Sequence, residues 1–221
     1  EVIDGKGRLA VPGLIDAHLH IESTLVTPAH FAESVLPLGT TTVAEDPHEV
    51  ANVSGIDGIR TMMAASANIP LKVEYLISSS VPSLPGLETA GGVIGPAEVE
   101  ALLAMPHVLG LAEVMDGASV VAEDPQALNI LAACGGVDGQ RVDSPGVIEG
   151  HNPMLRGRAL SAFIAAGVDS DHTLATPADL VEKARQGVTL MLQERYLNAE
   201  VIAALEALPL DTGLCLITDD V

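Results

Sequence analysis

Apolar, β-rich runs alternate with helix-patterned runs from one end of this chain to the other, and that alternation restricts the fold more than any other feature. The strand candidates are residues 14–16, 41–46, 72–78, 108–114, 147–151, 168–171, 188–193 and 214–219. Several are largely apolar, as strands covered on both faces would be. Helix candidates fill the intervals. One runs over 28–38, with Thr27 as cap, Pro28 in the first turn and Gly39 as the stop. Others cover 54–67, 97–105, 125–133, 157–166, 177–186 behind Thr176-Pro177, and 199–208 behind Asn198. Eight strands with seven intervening helices is the count of an α/β chain folded as a (β/α)8 TIM-type barrel lacking its last helix. A doubly wound open sheet also fits the alternation, but eight successive units favour closure.

Composition agrees with one sizeable core. Of 221 residues, 48% are hydrophobic and 18% charged, with no Trp, two Tyr and two Phe, so the core must be aliphatic. Ten basic against thirty acidic residues give a net charge of −20. That charge argues against a nucleic-acid partner, which needs a basic footprint, and against an anionic membrane surface. No run is long and apolar enough for a membrane-spanning helix. Cys134 and Cys215 form no CxxC pair or disulfide framework; they read as small buried hydrophobes in a reducing cytoplasm. The chain opens Glu1-Val2-Ile3 with no signal pattern and reads as a piece of a longer protein.

The strand map also predicts where chemistry sits, because barrel enzymes use the C-terminal ends of their strands. His18 and His20 follow the first strand, Asp46 and His48 the second, and Glu113 ends the fourth. His151 ends the fifth, His172 follows the sixth, Glu194 the seventh and Asp219 the eighth. Five of the seven histidines thus fall at one rim. His18 and His20, two apart on an extended segment, present both imidazoles to one face, where they can grip one divalent ion. Glu113 can bridge two metals or simply form a salt bridge. Asp219 can hold a metal and act as general base, with Asp220 its competitor. His48 has three open readings: substrate contact, extra metal, or loop order. His30 and His107 lie beside helices and read as surface or packing residues. The irregular stretch 79–95, rich in Gly, Pro and Ser, belongs at the same rim.

Val11-Pro-Gly-Leu-Ile-Asp-Ala-His18-Leu-His20 resembles the opening motif of the amidohydrolase superfamily. Residues 21–24, 39–42, Asp46-Pro-His-Glu49, Leu111-Ala-Glu113, Gly150-His-Asn-Pro153, 166–172 and Ile217-Thr-Asp-Asp220 are similar, in order, to the bacterial adenine deaminases of that superfamily. The resemblance implies a (β/α)8 barrel over 11–221, with 1–10 the end of a flanking β-sandwich that is otherwise missing. It implies two divalent metal ions, Mn(II) or Fe(II) foremost and Zn(II) also acceptable, on His18, His20, Glu113, His151, His172 and Asp219. Glu113 and Asp219 would be catalytic, and His48, Glu22 and Glu194 would face substrate. The implied reaction is hydrolytic deamination of adenine or a close purine to hypoxanthine and ammonia through a metal-bound hydroxide. The alternatives are hydrolysis of another C–N bond, such as a cyclic amide, or a metal-binding barrel fragment without turnover. The implied partner is a small-molecule purine, and homo-oligomerisation is open. Three places depart from the family pattern: Met154-Leu-Arg156-Gly157, Thr173 after His172, and Gln193-Glu194-Arg195-Tyr196.

Overall fold

The computed structural model describes residues 4–135, 146–174, 176–209 and 211–220. Eight strands run in sequence order in one parallel sheet: β1 Leu14–Leu19, β2 Thr40–Glu45, β3 Lys72–Ser78, β4 Val108–Val114, β5 Val147–Gly150, β6 Ser170–Asp171, β7 Thr189–Leu192 and β8 Leu214–Leu216. All seven successive pairs are parallel, so every connection must cross back over the sheet, and helices make those crossings. The first and last strands meet at the C-terminal rim, through a parallel bridge between Leu19 and Asp219. There the amide of Asp219 donates to the His18 carbonyl at 3.1 Å, and that of His20 to the Asp219 carbonyl at 3.4 Å. The barrel is therefore closed where the candidate residues lie. At the other end Leu14, Ile15 and Leu214 are exposed.

The helices are α1 Pro28–Val35, α2 His48–Ser66, α3 Pro96–Leu103, α4 Gly117–Val121, α5 Pro125–Ala133, α6 Gly157–Ala165, α7 Pro177–Arg185 and α8 Ala199–Glu206. Their starts are chemically marked. Pro28, Pro96, Pro125 and Pro177 occupy first turns, where a missing N–H costs nothing. Asp124, Thr176 and Asn198 accept hydrogen bonds from first-turn amides. None of the described helices is long and apolar enough to cross a membrane.

Four expectations are corrected. The helix expected from residue 54 begins at His48 and kinks at Gly55, which has φ 57°. A Cβ on Gly92 would stand 2.4 Å from the Gly55 nitrogen, so two glycines let the 79–95 loop lie directly on α2. The first strand extends to Leu19, placing His18 inside it. The short α4 was not expected. Cys134 is buried, but Cys215 is only partly so. His30 and His107 are exposed, as expected. Of the 1–10 segment, residues 1–3 lie outside the described residues, and 4–10 form an exposed turn and coil.

The core between sheet and helices is aliphatic, as the composition requires. Ile77, Leu111, Ile148, Leu102 and Phe163 are fully buried in its largest cluster, each contributing about 1.5–3 kcal/mol by burial. It joins β3, β4 and β5 beneath the rim.

Candidate metal centre

Three groups of side chains converge at the C-terminal rim, each with its ligand atoms within 4.8 Å of one another: His18, His20, Glu113 and Asp219; Glu113, His151 and His172; and Asp46, His48 and Glu113. Glu113 is common to all three. It is the penultimate residue of β4, an otherwise apolar strand, and its carboxylate reaches His151 Nδ1 and His172 Nε2 at 3.0 Å each and His48 Nδ1 at 3.5 Å.

The first-strand histidines are oriented from outside. His18 Nδ1 lies 2.8 Å from Glu149 Oε2, and His20 Nδ1 lies 2.7 Å from the Asp46 carbonyl. A carbonyl and a carboxylate only accept, so both Nδ1 atoms carry a proton and both Nε2 atoms point inward, available to a cation once their own proton leaves. His18 Nε2 is buried with no hydrogen-bond partner, 3.7 Å from Glu113 and 3.8 Å from Asp219. His20 Nε2 stands 3.5 Å from Asp219 Oδ1. Imidazoles anchored by an outer acceptor, with the other nitrogen free toward carboxylates, are arranged as metal ligands are.

The field at the rim favours positive charge. Burial pushes the His18 imidazole down, yet Glu149 and Glu113 outweigh it and hold it up at about 9. His20 is likewise opposed by burial, but Asp219, Asp46 and Glu49 raise it to about 11. Burial would raise Glu113, and the surrounding His151, His172 and His48 hold it far below the usual carboxylate range. Asp46, wholly buried, is pushed up to about 7 by desolvation, against His20 and His48. Protons here occupy positions a divalent cation can take.

Two of the converging residues have left-handed backbones, Glu113 at φ 41° and Asp219 at φ 62°. Strain of this kind persists only where the surroundings enforce it. Ser79 and Ser80 do so for Glu113, their hydroxyls donating to its carbonyl at 3.1 and 3.2 Å.

The six residues expected to bind metal are thus brought together, and His48 joins them. Glu22 is half-buried and accepts from the Val50 amide. Glu194 is exposed on a short 3-10 turn; its neighbours Gln193 and Arg195 are the ones that donate to Asp219 Oδ2, Arg195 at 3.1 Å. Asp220 accepts from Ser23 instead. Glu149 was missed by the sequence reading, although a lone carboxylate inside Val147-Ile-Glu-Gly was a visible signal.

A sequence profile of the amidohydrolase family matches residues 9–142, more than half of the chain. The chain belongs to the amidohydrolase family. This amidohydrolase is 45% identical to an adenine deaminase of Serratia proteamaculans, over 99% of its own length and 36% of the relative's. It is 42% identical to adenine deaminase 2 of Rhizobium etli and to an adenine deaminase of Klebsiella pneumoniae, in each case over 100% of its length and 36% of theirs. The amidohydrolase chain thus spans about a third of the length of these curated relatives. Among solved structures it resembles atrazine chlorohydrolase TrzN from Arthrobacter aurescens TC1 complexed with zinc, with TM-score 0.54 and 14% identity over 94% of this chain and 59% of that one. It also resembles the YdjI aldolase from Escherichia coli K12, with TM-score 0.51 and 10% identity over 93% and 74%. At these identities the likeness is one of fold.

Proposed function

We propose that this chain forms the catalytic barrel of a metal-dependent adenine deaminase, with residues 11–221 as the barrel and 1–10 as the end of a flanking β-sandwich. The observation that carries the reading is the pair of Nδ1-anchored imidazoles, His18 and His20, whose Nε2 atoms face Glu113 and Asp219. Its support for adenine is the 42–45% identity to adenine deaminases across the chain.

The donor set fits two divalent ions. His18, His20, Glu113 and Asp219 would hold one, and Glu113, His151 and His172 the other. An imidazole–carboxylate set suits Mn(II), Fe(II) or Zn(II), with Mn(II) or Fe(II) favoured by the family resemblance. When bound, such ions lower the pKa of water and stabilise negative charge.

The chain's own groups complete the reaction. Asp219 takes a proton from the attacking water and returns it to the departing amino nitrogen as the C6–O bond forms and the C6–N bond breaks; hypoxanthine and ammonia leave. Arg195 and Gln193 hold its Oδ2, leaving Oδ1 toward the histidines. Glu113 anchors the two halves of the centre. His48, Glu22 and Glu194 would face the purine. Among the described residues neither cysteine forms a disulfide, in keeping with the reducing cytoplasm we assign.

The test is adenine absorbance with parallel ammonia release, on full-length protein loaded with Mn(II). Stoichiometric conversion to hypoxanthine is expected. Absence of conversion by protein holding two ions would overturn the substrate assignment.

A further inference from the structure

Lys183 on α7 is the one lysine among the largest fully buried side chains, with no exposed surface. Its ammonium donates to Asp171 Oδ1 at 2.8 Å, to the Thr173 carbonyl at 3.0 Å and hydroxyl at 3.1 Å, and to the Asn152 carbonyl at 3.2 Å. Asp171, equally buried, accepts from the Asn152 amide at 3.0 Å and the Thr173 amide at 2.7 Å. One ion pair therefore holds both the N–H and the C=O of Asn152 and of Thr173. Asn152 follows His151, and Asp171 and Thr173 flank His172. These two strand ends are otherwise weakly joined, since β5 and β6 share only two registered residue pairs.

Burying an ion pair is costly compared with apolar packing. This pair spends its hydrogen bonds on the backbone beside two imidazoles that converge on Glu113, with His151 Nδ1 and His172 Nε2 3.1 Å apart. We propose that Lys183 and Asp171 are positioning residues for the His151–His172 half of the centre, fixing the separation and aim of the two rings for one divalent ion. The proposal rests on the two-ion reading above. It predicts asymmetry, because the His18–His20 half is anchored separately, through Glu149 and the Asp46 carbonyl.

The test is calorimetric titration of metal-free full-length protein with Mn(II), alongside thermal melts. The variants are Lys183→Met/Asp171→Asn, which removes both charges together, and Asp171→Asn alone, which keeps size and an acceptor oxygen and covers a folding failure of the first. The parent is expected to take two ions. In each folded variant one site keeps its parental affinity and the other weakens, by about tenfold or more in the double variant, the scale of lost outer support around a metal ligand. Parental affinity at both sites, even with a lowered melting temperature, would reduce the pair to a structural staple and overturn the proposal. A parent that takes fewer than two ions would instead overturn the two-ion reading.

Discussion

Replacing Glu149 with Leu tests how the centre is built, because two effects of the substitution oppose each other and pH separates them. Glu149 is buried, with Oε2 2.8 Å from His18 Nδ1, and Leu is close to it in size. Without the acceptor, nothing fixes the proton on Nδ1, and the tautomer with a protonated Nε2 becomes accessible. Loss of such outer support weakens metal binding by about 10–100-fold, or about 1.4–2.7 kcal/mol. The same carboxylate, however, helps hold the His18 ring up at about 9 against burial, so the parent must give up a proton to bind a cation. At pH 7.5 that gap of about 1.5 units costs about 2 kcal/mol at 1.36 kcal/mol per unit. The variant ring falls back toward or below its ordinary value and escapes this cost. The two effects oppose each other at pH 7.5. At pH 9 the parent ring is half deprotonated, and the loss of orientation stands almost alone. Anaerobic Mn(II) titrations at both pH values should give a variant-to-parent Kd ratio that is smaller at pH 7.5 than at pH 9, where it reaches about 10–100. A ratio near one at both would refute the claim that Glu149 orients His18.

Removing the proposed proton carrier with Asp219→Asn should reduce adenine turnover by at least about 10²–10⁴-fold in steady-state assays, with the fold unchanged by circular dichroism. His20→Ala should likewise abolish turnover and lower the Mn(II) content measured on dialysed protein. In metal-free protein His18 and His20 are raised from 6.5 to about 9 and about 11. A raised pKa stabilises the protonated fold, and this contribution is complete below about pH 6.5 and drains away as pH climbs through 9 and then 11. Calorimetric melts of metal-free protein should therefore move to lower temperature from pH 7 to 10, and Mn(II) uptake at pH 7.5 should release protons. Phe163→Ala in the β5–α6 core should cost about 3–5 kcal/mol in denaturant titrations and leave the metal ligands in place.

The chain's local patterning was enough for the strand order. Residues 72–78 and 108–114 are the strands β3 and β4, because short runs rich in Val, Leu and Ile, bounded by polar or turn residues, have one good use in a barrel. Helix α5 has the expected bounds, 125–133, and the structure shows Asp124 capping its start. Elsewhere local patterning overreached. The runs 168–171 and 214–219 shrink to Ser170–Asp171 and Leu214–Leu216, since where a ladder ends depends on the neighbouring strand's hydrogen bonds. The start of α2 was hidden by Gly55, whose kink makes sense only once the 79–95 loop lies against it.

At the centre, residue type and strand-end position were sufficient for His18, His20, Glu113, His151, His172 and Asp219, because metal chemistry restricts donors to a few side chains and barrel topology gathers strand ends. The sequence could not supply what surrounds them. Glu149 lies 131 positions from the imidazole it anchors, Lys183 sits on a helix with nothing local to mark it as buried, and Arg195 rather than Glu194 is the side chain that reaches Asp219. Sequence alone determined which groups can bind and react. Closure of the barrel determined which nitrogen faces inward and which charges oppose one another, because orientation and electrostatic field depend on distances that only the folded chain sets.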